Sequence, residues 1–119
     1  MNLSFSLPSR LDAPRRARAA LTEIEGEIPP TLAAKTRLLV SELVSNAIRH
    51  GEGEVRVDVE TSPEKVRATV TDQGQGFVPP ADNEDNLADT GRGLLLLRRM
   101  ADRCGVSRGS TVVWFEASP

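Results

Sequence analysis

Cysteine is almost missing from this chain: Cys104 stands alone among 119 residues, and His50 is the single histidine. No intrachain disulfide framework can form, and no structural zinc cluster can be assembled from one thiol and one imidazole. A reducing compartment fits that composition. A dominant charge is missing as well, since 15 basic and 17 acidic residues leave a formal charge of -2. The large basic field that neutralises many phosphates of a duplex is therefore absent, which argues against a nucleic acid as main ligand. No segment approaches the roughly 20 apolar residues that cross a bilayer, and Met1 to Pro8 lacks a charged stretch leading into a long apolar run. A cytoplasmic protein with no membrane contact is expected. What is present, 39% hydrophobic residues without internal repeat or low-complexity tract, suffices for one core, so residues 1–119 are expected to form one domain.

Leu3, Phe5 and Leu7 alternate with Ser4 and Ser6, which predicts a strand with one buried face, ended by Pro8. Asp12 is placed to cap a helix with Pro14 in its first turn, running to Glu25 and stopped by Gly26. After Pro29 and Pro30, Leu32, Thr36, Leu39, Val40, Leu43, Val44, Ala47 and Ile48 recur by threes and fours, the strongest helical signal in the chain, with Gly51 beyond its end. Val55, Val57 and Val59, then Val66, Ala68 and Val70, alternate with polar residues and predict two strands around a tight turn at Ser62, Pro63 and Glu64. From Gln73 to Thr90 the composition turns to Gly, Pro, Asp and Asn, the pattern of a functional lid. A leucine-rich helix from about Gly93 to Arg103, a short strand near Val106, a turn at Gly109 and a last strand from Thr111 to Ala117 follow. The short connections predict a mixed, mostly antiparallel sheet with helices on one face.

Several residues are candidates for chemistry. Glu42 and Asn46 lie four apart on one helix face, in a row that continues to His50. Asn46 could supply one of the one or two protein oxygens that magnesium needs beside a nucleotide, and Glu42 could accept a proton from an attacking hydroxyl; alternatively both are solvated helix residues. Asp72 shares the parity of Val66, Ala68 and Val70, so its carboxylate should face the helices. There it could accept a hydrogen bond from the exocyclic amino group of adenine, or from backbone amides of the next turn. Gly74 and Gly76 allow the backbone to turn sharply there. Gly91-Arg92-Gly93-Leu94 opens a helix whose unpaired amide hydrogens suit phosphates, with Arg92 either a charged contact or solvated. Ser110 and Thr111 either touch a phosphate or belong to a plain hairpin. The lid's Asp82, Glu84, Asp85 and Asp89 would repel a triphosphate, which suits gating better than gripping.

Taken together, Glu42-Leu43-Val44-Ser45-Asn46-Ala47-Ile48-Arg49-His50-Gly51, Asp72-Gln73-Gly74-Gln75-Gly76 and Gly91-Arg92-Gly93-Leu94 resemble, in order, the nucleotide-binding boxes of the GHKL ATPase superfamily. Within it the chain looks like the anti-sigma-factor serine/threonine kinases, over nearly its whole length. The resemblance implies the Bergerat fold, an α/β (α+β) two-layer sandwich that holds ATP and Mg between helices and sheet. It implies Glu42 as catalytic base, Asn46 as magnesium ligand, Asp72 as the adenine-reading carboxylate, and Arg49, His50, Gly74, Gly76, Gly91, Arg92, Gly93, Leu94 and Thr111 around the nucleotide. Its partners would be a small anti-anti-sigma protein of the STAS type, phosphorylated on Ser or Thr, and/or a sigma factor held inactive, with dimerisation through the sheet. Arg92 departs from the serine, methionine or leucine of better-known members. A nucleotide-dependent binding module without phosphoryl transfer is the second function class.

Overall fold

The period of two in the sequence becomes a sheet with one buried face. The computed structural model describes residues 1–50, 52–73, 92–106 and 112–119. In β1 (Asn2–Leu7) Leu3 and Phe5 are partly and Leu7 fully buried, while Ser4 and Ser6 are exposed. Val55, Val57 and Val59 of β2 (Val55–Ser62) and Val66, Ala68 and Val70 of β3 (Lys65–Thr71) are all at most 2% exposed. Phe115 and Ala117 of β5 (Val112–Ala117) complete that face, and β4 (Arg103–Val106) forms an edge. The strand order is β1-β2-β3-β5-β4, and among the described residues every pairing is antiparallel. Ser62 stands opposite Lys65, so Pro63 and Glu64 form the predicted tight turn.

Among the described residues three α-helices cover the buried face: α1 (Ala13–Ala20), α2 (Pro30–His50) and α3 (Arg92–Met100). Ala13 and Ala17, one turn apart and fully buried, let α1 lie close against α2. Leu32, Leu39, Val40, Leu43 and Val44 of α2 fill the space above β3 and β5. Thr36, also fully buried, donates its hydroxyl to the Leu32 carbonyl at 2.8 Å, so no polar group is stranded there.

Three sequence expectations are corrected. Asp12 precedes α1 but makes no side-chain cap bond; its backbone is already helical (φ -86°, ψ -1°) and its Oδ2 pairs with Arg16 Nε at 3.3 Å. Capping needs an extended residue and an amide hydrogen two or three positions on, and Pro14 removes one of those donors. The first helix also does not reach Glu25: it ends at Ala20 and tightens into a 3-10 turn, Leu21–Ile24, whose two ends are both buried in the core. The last helix stops at Met100 instead of Arg103, because the Asp102 N–H already donates to the Glu116 carbonyl (2.8 Å) and Arg103 opens β4.

The outer sheet face is polar. Ser4 Oγ donates to Asp58 Oδ1 at 2.6 Å, and Arg56 donates to both Asp58 oxygens. The Arg56 hydrogen bond, then the Ser4 hydroxyl, hold the Asp58 carboxyl below the usual carboxylate range. Further along, Arg67 lies 4.6 Å from the Trp114 ring centroid and bonds Glu116 at 2.7 Å. A Cβ on Gly105 would come within 2.5 Å of the Trp114 indole nitrogen, so glycine is required where that ring lies flat on β4.

Candidate functional site

The last turns of α2 carry the candidate groups because there the core covers the helix only in part. Glu42, Ser45, Asn46, Ala47 and Ile48 are only half-buried, whereas Leu39, Val40, Leu43 and Val44 just before them are at most 2% exposed. Glu42 lines an open groove of about 320 Å³ between α1 and α2, together with Leu11, Pro14, Ser45, Ile48 and Arg49. Leu11, at the rim, is 96% exposed. A carboxylate at such a mouth can be reached by a group carried on another chain. Sequence reasoning missed Leu11 and Pro14, which sit in a loop and a helix start without any periodic signal.

Asn46 stands one turn beyond Glu42, and its Oδ1 accepts a hydrogen bond from Arg49 Nη2 at 3.1 Å. Arg49 is exposed and the contact lies at the surface, so its displacement costs little. The amide oxygen therefore remains suitable as one of the few protein oxygens a nucleotide-bound magnesium takes. Among the described residues no group of three or more His, Cys, Asp or Glu gathers as a metal cage.

Asp72 follows β3 directly and is half-buried, on the parity of Val66, Ala68 and Val70, the face that packs on α2. Its neighbour Gln73 ties this strand end to the loop after α2. The Gln73 N–H donates to the Glu52 carbonyl at 2.8 Å, and the Glu54 N–H donates to Gln73 Oε1 at 3.0 Å. α3 begins at Arg92 and also packs on α2. The side chains of His50, Arg92, Gly93 and Leu94 lie outside the described residues, as do Gly51, Gly74, Gly76, Gly91, Ser110, Thr111 and the acidic lid. α2 and the end of β3 thus bring Glu42, Asn46 and Asp72 to adjoining elements, and the remaining candidates rest on the sequence.

Helices on one face of an antiparallel sheet make the two-layer sandwich of a GHKL-like fold. The chain belongs to the histidine kinase-like ATPase domain family, whose model matches residues 7–116. An anti-sigma F factor from Pasteuria penetrans is 41% identical over 86 residues, covering 66% of this chain and 56% of that protein, so the chain spans little more than half of its relative. Among solved structures, the RsbU and RsbW domains of Rv1364c from Mycobacterium tuberculosis superpose with a TM-score of 0.68 at 23% identity, over 99% of this chain and 32% of that one. A blue-light activated histidine kinase domain from Erythrobacter litoralis gives a TM-score of 0.51 at 24% identity, over 88% of this chain and 58% of that one. These two likenesses concern the fold. Among the described residues no helix is long and apolar enough to cross a membrane.

Proposed function

We propose that this domain is a cytoplasmic ATP-dependent serine/threonine kinase of the anti-sigma type. It would transfer the ATP γ-phosphate to a small anti-anti-sigma protein of the STAS type, and/or hold a sigma factor inactive, with dimerisation through the sheet as a further part of the reading. The observation that carries it is the placement of Glu42 and Asn46 one turn apart at the point where the packing on α2 lapses, with Glu42 opening onto a groove. Membership of the ATPase family and the identity to an anti-sigma F factor support the nucleotide and the partner class.

In this reading Asp72 would accept a hydrogen bond from the adenine amino group, and Asn46 Oδ1 would hold magnesium, which would supply charge neutralisation along the phosphates. The backbone of Gly91, Gly93 and Leu94, with Arg92 and Thr111, would cradle the phosphates, and Gly74 and Gly76 would lie beside the base. Glu42 takes the proton of the partner's hydroxyl as its oxygen attacks the γ-phosphorus and ADP leaves. Arg49 releases Asn46 and faces the nucleotide beside His50.

The test is Glu42→Ala with labelled ATP, magnesium and candidate small anti-anti-sigma proteins. ATP retention should persist while label transfer falls by about 10²- to 10⁴-fold. Undiminished transfer would remove Glu42 from the role of base. Partner capture that depends on nucleotide but transfers no label in wild type would instead make the domain a binding module.

A further inference from the structure

The junction between β3 and the loop after α2 is built unlike the rest of the sheet. Continuing the pairing of Arg56 with Thr71 places Glu54 opposite Gln73. A regular ladder would close there with two backbone bonds between these residues. Instead the Gln73 N–H reaches past Gly53 to the Glu52 carbonyl, and the Glu54 N–H is received by the Gln73 side chain. Gly53 adopts φ +71°, and a Cβ on it would lie 2.2 Å from Gln73 Oε1. Only glycine both takes that backbone and leaves room for the amide. One side chain, one positive-φ glycine and two hydrogen bonds form a clasp between the entry to β2 and the exit from β3.

The two clasped segments carry the two ends of the candidate site. Four positions separate Asn46 from His50, the last residue of α2, and the loop Glu52–Glu54 follows immediately, while Asp72 directly precedes Gln73. We propose that Gln73 is a positioning residue that sets where the Asp72 carboxylate stands relative to Asn46, and so sets base selectivity. This rests on the reading of Asp72 as the group that recognises adenine. Release of the clasp would let the end of β3 fray beyond Thr71, and a displacement of one frayed residue's width is enough to lose a hydrogen bond.

The experiment measures the affinities of ATP and GTP, with magnesium, for wild type, Gln73→Ala, Gln73→Glu and Gly53→Ala. Wild type should prefer ATP. Gln73→Ala should lose about three- to tenfold in ATP affinity and leave GTP unchanged, since one hydrogen bond to the base is at stake. Gly53→Ala, which expels the same side chain from the other side, should reproduce that loss, and Gln73→Glu, which keeps an acceptor oxygen at the same reach, should restore most of it. A merely structural clasp would lower both affinities together and leave their ratio at the wild-type value, as would a clasp of no consequence, and either result overturns the proposal. Circular dichroism confirms that each variant is folded, and Gln73→Glu keeps the comparison readable should Gly53→Ala unfold. A wild type that does not discriminate ATP from GTP removes the adenine reading of Asp72 and this inference with it. Discrimination in wild type that survives in Gln73→Ala removes only the inference.

Discussion

The first and last halves of α2 are built for different ends. From Leu32 to Val44 the helix puts Leu32, Thr36, Leu39, Val40 and Val44 entirely out of solvent, against α1 and the sheet. From Ser45 onward the apolar spacing continues through Ala47 and Ile48, yet each is only half-buried, and the side chains of the polar residues beside them, Asn46 and Arg49, bond to each other. The periodicity is the same; the cover is not. Ala47 and Ile48 still pack on the edge of the core but leave part of their surface open, and that opening adjoins Glu42 and Asn46. Stability should therefore reside in the first half and ligand response in the second.

Truncation along α2 tests that division most strongly. Leu39→Ala should cost about 2–5 kcal/mol in denaturant unfolding, because a fully buried side chain leaves a cavity in a sheet-backed core. Ile48→Ala, chemically similar and about two and a half turns later, should cost less, since part of its surface is already in water. Equal losses would mean that the end of α2 belongs to the core after all. A smaller effect, of opposite sign in the two properties, is expected from Asn46→Ala. Magnesium should no longer raise nucleotide affinity, a loss of about tenfold in titration calorimetry. Stability should be unchanged or higher by roughly half a kcal/mol, because Ala is the better residue in a helix interior. Loss of both together would place Asn46 among the structural residues.

That division was partly visible before any coordinates. The strands from Val55 to Val70 and the helix from Pro30 to His50 follow from their periods, since the residues that repeat are those that bury. Glu42, Asn46 and Asp72 were legible as candidates because spacing and parity place side chains on faces. What stayed hidden depends on single atoms or on distant partners. The missing amide of Pro14 denies Asp12 its cap, the 3-10 tightening at Leu21 serves core packing, and the Glu116 carbonyl ends α3 early by recruiting Asp102. The Gln73 clasp joins residues about twenty positions apart through a side chain that replaces a backbone acceptor, and no period announces such a bond. For Gly74, Gly76, Gly91 and Thr111, outside the described residues, the sequence pattern alone speaks.

The outer face of the sheet offers the reference against which both halves of α2 can be judged, because its charged pairs are exposed and lie apart from the candidate site. Asp58 is held below its ordinary range by Arg56 and, less, by Ser4. With the folded value depressed, the stabilisation is complete above the unfolded carboxyl value of about 3.9 and is lost as pH falls through the lower folded value. Most of it is screened, since Arg56 and Asp58 retain 62% and 36% of their side-chain exposure, so a few tenths of a kcal/mol is the expected size for the carboxylate. Asp58→Asn should therefore be slightly less stable than wild type at neutral pH, and the two should converge once pH has fallen through the depressed folded value. Convergence confined to low salt would agree with an exposed pair. A gap that persists unchanged into acid would show that Asp58 acts through packing and not through charge, and an effect as large as that of Leu39→Ala would deny that burial, more than surface pairing, determines the stability of this fold.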